Sequence, residues 1–177
     1  MNKVKIPAYE KMPDQNKRIL DEIKMAFGFI PNVFAYMAYS PVALKSYLHY
    51  TREKTCLTDQ EAEAVFLVTS QVNACDYCLS AHSVLAKAAG LTDEQILELR
   101  QGQASFNKKM DALVKLTQEI VLHRGKVRAE YLAGFCAVGY TNQHLVDVVL
   151  LISQVTVTNY VNNITHNAID FPEAPQI

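Results

Sequence analysis

The most informative absences in this sequence concern cysteine, tryptophan and net charge. The 177 residues contain no Trp and only four Cys, six Gly and six Pro. Four cysteines are too few for a secreted scaffold built on disulfides. Lys and Arg number 17 against 18 Asp and Glu, so the chain has no basic surface that would favour nucleic acid or an anionic membrane. Because 50% of the residues are hydrophobic, we predict a single folded domain over residues 1–177 rather than a disordered chain.

The sequence also lacks a long uninterrupted apolar run. Residues 1–15 contain lysines but no apolar core of a secretory signal, which favours a cytoplasmic protein. The most apolar stretch, Leu145–Val157, is interrupted by Asp147, Ser153 and Gln154 and is shorter than the roughly 20 residues that span a bilayer. We therefore predict that this stretch is a buried core helix and that the protein has no membrane partner.

Helix-capping residues recur along the chain and predict an all-α fold. Thr58 followed by Glu61 is typical of a capping box, and no segment alternates with period two between hairpin turns. Asn73 is expected to cap a helix that follows it, and Pro172 is expected to stop the last helix. The predicted helices span residues 15–27, 33–39, 41–52, 59–72, 74–89, 93 to about 102, 107–124, 128–138 and 142 to about 170.

The residues with the strongest chemical signal lie between Glu63 and His82. Cys75, Cys78 and His82 are spaced by three and four, so they share one face of a helix. Glu63 lies ten residues before Asn73 and His82 nine residues after it. At the rise of an α-helix both are roughly 14–15 Å from the turn, so two antiparallel helices bring them to the same height. The spacing predicts a contact between Glu63 and His82.

This pattern is typical of an activated dithiol. Only a thiolate attacks a peroxide or a disulfide, and a nearby imidazole can take the proton while a carboxylate orients the ring. Cys75 is expected in the first turn of its helix, where the helix dipole favours an anion. Two alternatives stay open at this point: ordinary buried cysteines, and a zinc site formed by Cys75, Cys78 and His82 with Glu63 or His166. The missing second Cys/His pair makes zinc the less favoured of these.

The motif E-x11-C-x-x-C-x3-H, followed by A-x-x-x-G at Ala86–Gly90, resembles the active-site motif of the alkylhydroperoxidase D-like proteins of the carboxymuconolactone decarboxylase superfamily. The segment Pro31–Leu48 is similar to the same superfamily. The resemblance covers about residues 27–125 well and the remainder more loosely, with the core motif region at about 41–125. The resemblance implies an all-helical fold with the CxxC on a helical hairpin, in a homo-oligomer that is often a trimer or hexamer.

The resemblance also implies an activity and roles for four residues. It implies a thiol-dependent alkyl hydroperoxidase or disulfide reductase without bound metal or cofactor. Cys78 would be the peroxidatic cysteine, Cys75 would resolve it, His82 would be the base and Glu63 would orient it. The implied partners are a hydroperoxide and a dithiol reductant, either a lipoyl group or a thioredoxin-like protein.

One residue departs from the family pattern. Well-known members have a His at the position of Tyr77, and a phenol with a pKa of about 10 cannot relay a proton as imidazole does at pH 7. Tyr77 is therefore an auxiliary candidate that hydrogen-bonds or shapes a pocket. His166 is a second auxiliary candidate, which either reaches the site or caps the last helix. Cys56 and Cys136 are predicted to be buried structural residues.

Two further functions are compatible with the sequence. One is a decarboxylase-like enzyme that uses His82 and Glu63 as an acid–base pair, with the cysteines incidental. The other is a redox-switched interaction module that is not an enzyme. The CxxC pair argues against lactone decarboxylation, because the decarboxylase branch of the superfamily lacks it.

Overall fold

The computed structural model describes residues 5–175 and 177. Within these residues no strand occurs, which confirms the predicted all-α fold class. In the part of the chain that the structure describes, a short 3-10 turn at Tyr9–Lys11 precedes nine α-helices. These are α1 (Asp14–Phe27), α2 (Asn32–Met37), α3 (Pro41–Tyr50), α4 (Asp59–Val72), α5 (Asp76–Ala88), α6 (Asp93–Arg100), α7 (Lys108–Leu122), α8 (Ala129–Ala137) and α9 (Asn142–Thr165).

Several helices begin at capping side chains. Thr58 is the N-cap of α4: its hydroxyl accepts the Glu61 N–H, and the Glu61 carboxylate accepts the Thr58 N–H at 2.9 Å. Thr92 forms the same reciprocal pair with Gln95 at the start of α6. The Asn107 side chain accepts two N–H groups of the first turn of α7. Each cap satisfies N–H groups that have no partner within the helix, so the helix start is fixed locally.

The predicted start of α5 is wrong. Asn73 ends α4 instead of capping the next helix, and Ala74 then takes a left-handed conformation with φ of 50°. Cys75 is consequently the N-cap of α5 and lies just before its first turn rather than within it.

The predicted end of α9 is also wrong. The helix stops at Thr165, and His166 takes a left-handed conformation with φ of 49° while its N–H donates to the Asn162 carbonyl at 2.8 Å. This αL closure ends the helix several residues before Pro172, which lies in the tail that follows.

Two apolar cores organise the helices. In the larger core, α4 lies at the centre and packs against α5, α7 and α9, with Leu67, Leu113 and Val148 fully buried. In the smaller core, α1, α2 and α3 pack over the start of α5. Cys75 and Cys78 belong to this smaller core, so the dithiol lies where the N-terminal helices meet the central hairpin.

The sequence predicts that α9 is a buried core helix, but only one side of it is buried. Among the described residues it alone is long and apolar enough to meet the criteria for a bilayer span, a test that core helices of this length also pass. Its inner side packs against the central hairpin. Its outer side carries exposed apolar side chains with helical spacing, here called the outer stripe: Val146, Val149, Val157, Tyr160 and Ile164.

The tail after α9 returns across α5. Asp170 accepts the Tyr77 hydroxyl at 2.6 Å. Farther along, the Ala174 N–H donates to the Ser80 hydroxyl at 3.1 Å, and the carbonyl of Pro175 accepts from the Arg100 guanidinium at 2.7 Å. The tail thus holds the first half of the helix that carries the cysteines.

Candidate active site: a buried dithiol on a helical hairpin

The turn between α4 and α5 sets the position of the dithiol. Its backbone is closed by a hydrogen bond of 3.0 Å from the Cys75 N–H to the Ser70 carbonyl. The Asn163 amide of α9 donates to the Asn73 carbonyl at 2.8 Å and so holds the turn from a second side. Because Ala74 is left-handed, the chain reverses within a few residues and α5 runs back along α4.

The contact that the helical heights predict between Glu63 and His82 is present. Glu63 Oε2 lies 2.8 Å from His82 Nδ1, and the Phe66 ring packs on the imidazole with centroids 4.7 Å apart. Burial disfavours the imidazolium, but the Glu63 carboxylate outweighs it and raises the pKa of His82. Because Nδ1 is engaged by the carboxylate, Nε2 is the nitrogen available for proton transfer.

The pKa values of the two thiols shift in opposite directions. The Cys75 S–H donates to the Cys78 sulfur, and this hydrogen bond lowers the pKa of Cys78; burial opposes the shift and the charge of His82 adds to it. The same hydrogen bond, together with burial, raises the pKa of Cys75. Both cysteines are buried and in the free thiol state. The helix-dipole expectation favours Cys75, whereas these contacts lower the pKa of Cys78 and raise that of Cys75.

Helix α9 supplies polar contacts to Cys78 that the sequence analysis missed. The Asn162 amide Nδ2 donates to Cys78 Sγ at 3.5 Å, and the Cys78 thiol lies 3.7 Å from the Thr158 hydroxyl. Asn159 donates to Ser70 of α4 at 3.1 Å. The sequence signal that could have found them is the spacing of Thr158, Asn159 and Asn162 inside an otherwise apolar helix. Polar residues spaced in this way form a stripe that faces a neighbouring helix.

Tyr77 is tied to the tail rather than to the sulfurs. Its hydroxyl donates to Asp170 at 2.6 Å and accepts the Val33 N–H at 3.4 Å, and its ring meets Phe171 edge-on at 5.8 Å. Burial and then the Asp170 carboxylate raise the pKa of Tyr77. The phenol is thus a buried neutral donor with a structural partner.

Two concave regions flank the hairpin. One, of about 400 Å³, is lined by Glu63 and Phe66 of α4 together with Leu85 and Leu151. The other, of about 480 Å³, lies at the start of α5, and Cys75, Tyr77, Asn162 and His166 are among the residues that line it. His166 is exposed and forms the C-cap of α9, so it lies beside the dithiol without contacting either sulfur.

The prediction that Cys56 and Cys136 are buried is wrong, because both are exposed. Cys56 lies in the segment before α4, where its N–H donates to the Asp147 carboxylate at 2.8 Å. Desolvation of its thiol and the hydrogen bond to Asp147 raise the pKa of Cys56 to about 11. Cys56 is therefore a protonated thiol at neutral pH, in contrast to Cys78.

The zinc alternative requires ligands that converge on one point. Within residues 5–175 and 177, no group of three or more His, Cys, Asp or Glu side chains is arranged to hold a metal ion. His82 directs Nδ1 to Glu63, and His166 faces solvent at the end of α9.

Comparison with known proteins bears out the resemblance that the motif indicates. The model of the Carboxymuconolactone decarboxylase family matches residues 41–119, a segment that includes Glu63, Cys75, Cys78 and His82. A search of the curated proteins gives no significant match.

Solved structures share the fold over most of the chain. An uncharacterised peroxidase-related protein with an alkylhydroperoxidase AhpD core, from Ralstonia eutropha JMP134, has a TM-score of 0.82 and 20% identity over 92% of this chain and 88% of its own. A peroxidase-related protein from Silicibacter sp. TM1040 has a TM-score of 0.82 and 17% identity, covering 94% of this chain and 90% of its own. A cysteine-to-alanine variant of the debrominase Bmp8 in complex with 2,3,4-tribromopyrrole has a TM-score of 0.75 and 16% identity, covering 89% and 86%. These similarities establish an AhpD-like helical fold.

Proposed function

Residues 41–119 match the carboxymuconolactone decarboxylase family, and from this premise we propose that the protein is a thiol-dependent hydroperoxidase or disulfide reductase. The observation that carries the proposal is the environment of Cys78. Its buried sulfur receives hydrogen bonds from Cys75 and Asn162, and the Glu63–His82 pair adds a positive charge. Stabilised thiolates of this kind are the reactive form in thiol peroxidases and disulfide oxidoreductases.

In the oxidative step, the Cys78 thiolate attacks the terminal oxygen of a hydroperoxide. The O–O bond breaks, Cys78 becomes a sulfenic acid, and the leaving alkoxide takes a proton from the His82 imidazolium to give an alcohol. Glu63 stays hydrogen-bonded to Nδ1 of His82 throughout, so Nε2 delivers this proton. The same nitrogen is protonated again before the next turnover. The carboxylate stabilises the imidazolium before the step and orients the neutral ring after it.

In the resolving step, the Cys75 sulfur attacks the Cys78 sulfenic acid. The S–O bond breaks, a disulfide forms, and the proton released by the Cys75 thiol leaves with the hydroxyl group as water. An external dithiol, a lipoyl group or a thioredoxin-like protein, then reduces the disulfide and is itself oxidised. The three-residue spacing at the start of a helix places the two sulfurs close enough to hydrogen-bond, as the reduced pair does.

The proposal includes a location and an assembly state. A reversible dithiol cycle suits the reducing cytoplasm, where thiols are kept reduced between turnovers. We expect a homo-oligomer, a trimer or hexamer, and the exposed outer stripe of α9 is the surface that supports this expectation.

The test is hydroperoxide consumption with dihydrolipoamide as the reductant. We expect Cys78→Ser to abolish turnover and Cys56→Ser, which removes an exposed and protonated thiol, to retain it. Wild-type turnover no faster than that of Cys78→Ser would contradict the proposal. An activity that survives loss of both Cys75 and Cys78 would favour the acid–base alternative built on His82 and Glu63. A size-exclusion profile that changes on oxidation without any turnover would favour the redox-switched module.

A further inference from the structure

Asn162 of α9, a helix outside the α4–α5 hairpin, contacts the Cys78 sulfur. The residue is buried, with 4% of its surface exposed, and its amide Nδ2 lies 3.5 Å from Cys78 Sγ. Its other polar atom, Oδ1, accepts from the Asn167 amide at 2.9 Å. Because Oδ1 is engaged in this way, the amide presents its two N–H groups toward the sulfur and the concave region beside it.

A thiolate sulfur accepts hydrogen bonds and donates none, which agrees with this orientation of the Asn162 amide. One amide hydrogen points at Sγ. Asn162 also lines the concave region of about 480 Å³ at the start of α5 together with Cys75, so its amide lies between that region and the Cys78 sulfur. Fixed donors aimed at developing charge are the usual source of electrostatic catalysis.

We propose that Asn162 is a catalytic residue, which holds the Cys78 sulfur as an anion with one amide hydrogen and donates the other to the leaving oxygen of the hydroperoxide. Asn167 is the positioning residue that fixes the amide. The inference rests on the proposed function and adds a donor from a helix that lies outside the CxxC motif.

In chemical terms the amide serves the O–O cleavage. As the Cys78 sulfur bonds to the terminal oxygen, negative charge moves to the oxygen that carries the alkyl group. The Asn162 N–H stabilises this charge without giving up its proton, while the His82 imidazolium supplies the proton that completes the alcohol. No additional oxidant or reductant enters the step.

The titratable groups that interact with Cys78 are Cys75 at the N-cap of α5, Tyr77 and His82 on α5, and Tyr47 on α3. Glu63 of α4 pairs with His82, and Asp170 of the tail pairs with Tyr77. Burial raises the pKa of both phenols, so they stay neutral over the pH range of the test. A change at Asn162 alters none of these groups, which makes the acidity of Cys78 a direct readout of the amide.

The experiment compares two electrophiles across pH in Asn162→Ala. Iodoacetamide reports the thiolate, because its iodide leaving group needs no hydrogen-bond donor. Hydroperoxide reports the thiolate and the leaving oxygen together. We expect the alkylation midpoint of Cys78 to rise by about one pH unit, since a hydrogen bond to a charged group contributes about 1.5–3 kcal/mol. Above both midpoints the alkylation rates should converge, while hydroperoxide reduction should stay about tenfold slower than in the wild type.

Thr156→Ala is the matched control on the same helix. The Thr156 hydroxyl donates to the Ile152 carbonyl of α9 and not to a sulfur, so its loss should leave the Cys78 midpoint unchanged. Asn167→Ala should move the midpoint in the same direction as Asn162→Ala but by less.

The inference and the proposed function fail in different ways. A wild-type protein that is inert toward hydroperoxides overturns the proposed function. An alkylation midpoint in Asn162→Ala equal to that of the wild type, or equal hydroperoxide rates at high pH, overturns the role of Asn162 alone.

Discussion

The Glu63→Gln substitution tests the electrostatic coupling on which the site depends. The change keeps the shape of the side chain and removes the negative charge 2.8 Å from His82 Nδ1. At an effective dielectric constant of about 20, this pair attracts by roughly 6 kcal/mol, and the burial of the imidazolium cancels part of that attraction. Opposite charges at such range shift a pKa by about 1–3 units, equivalent to about 1.4–4 kcal/mol. We therefore expect the pKa of His82 to fall.

The consequence reaches Cys78 through the loss of a facing positive charge. With less positive charge on His82, the pKa of Cys78 should rise and its alkylation midpoint should move to higher pH. Weaker proton donation should also lower kcat/KM for hydroperoxide, at most by the about 10²–10⁴-fold that general acid–base catalysis typically contributes. The assays are iodoacetamide alkylation of Cys78 against pH, followed by peptide mass spectrometry, and stopped-flow hydroperoxide reduction. An unchanged alkylation midpoint would refute the coupling.

Glu61→Gln is the matched control because Glu61 lies on the same helix two residues earlier. Its carboxylate accepts from the Tyr140 hydroxyl at 2.6 Å and closes the capping box with Thr58. This variant should lower the melting temperature and leave the Cys78 titration unchanged. Glu63→Gln should do the reverse. Near pH 8 its melting temperature should match that of the wild type, and its Cys78 titration should be shifted.

The sign of the pH dependence separates the two variants further. A raised His82 pKa stabilises the folded protein fully below the unfolded value of about 6.5 and loses this contribution as the pH rises through the folded value. The stability difference between wild type and Glu63→Gln should accordingly be largest near pH 6 and shrink on the alkaline side. A difference that grows with pH would contradict the assignment.

Three smaller predictions follow from other contacts. Tyr77→Phe removes the hydrogen bond to Asp170 and should cost about 1–2 kcal/mol in urea unfolding, while hydroperoxide turnover stays within about twofold, because the phenol does not serve the sulfur. Thr92→Ala removes the cap of α6 and should cost about 1 kcal/mol of unfolding free energy without a change in turnover. Limiting iodoacetamide at pH 8 should leave Cys56 unmodified despite its exposure, because its pKa is raised to about 11; rapid labelling there would contradict that environment.

The local features were predictable because they are governed by nearby residues. The caps at Thr58, Thr92 and Asn107 each depend on side chains within a few positions. The Glu63–His82 contact depends only on helical rise and one antiparallel turn, and so it followed from counting residues on each side of the turn.

The features that were missed or mispredicted depend on tertiary contacts and on backbone conformation, which residue spacing does not determine. Asn162 meets Cys78 across 84 positions, and no spacing rule relates two such residues. Asn73 has a side chain that commonly caps helices, but Ala74 is left-handed and Cys75 is the N-cap of α5 instead. Cys136 lies among apolar residues of α8, yet its side of the helix is exposed, because amphipathic orientation is decided by the packing of neighbouring helices.

The contact between α9 and the hairpin has a consequence for the order of synthesis. Thr158 follows Cys78 by 80 positions in the chain, and the tail that binds Tyr77 comes later still. At about 5–20 residues per second, roughly 4–16 s of translation separate the cysteines from the α9 side chains that contact Cys78. Until α9 has emerged, Cys78 has neither the Asn162 amide nor the Thr158 hydroxyl beside it. On the proposed function, the growing chain therefore carries a less acidic Cys78 thiol than the finished protein, and the dithiol becomes fully reactive only after the last helix docks.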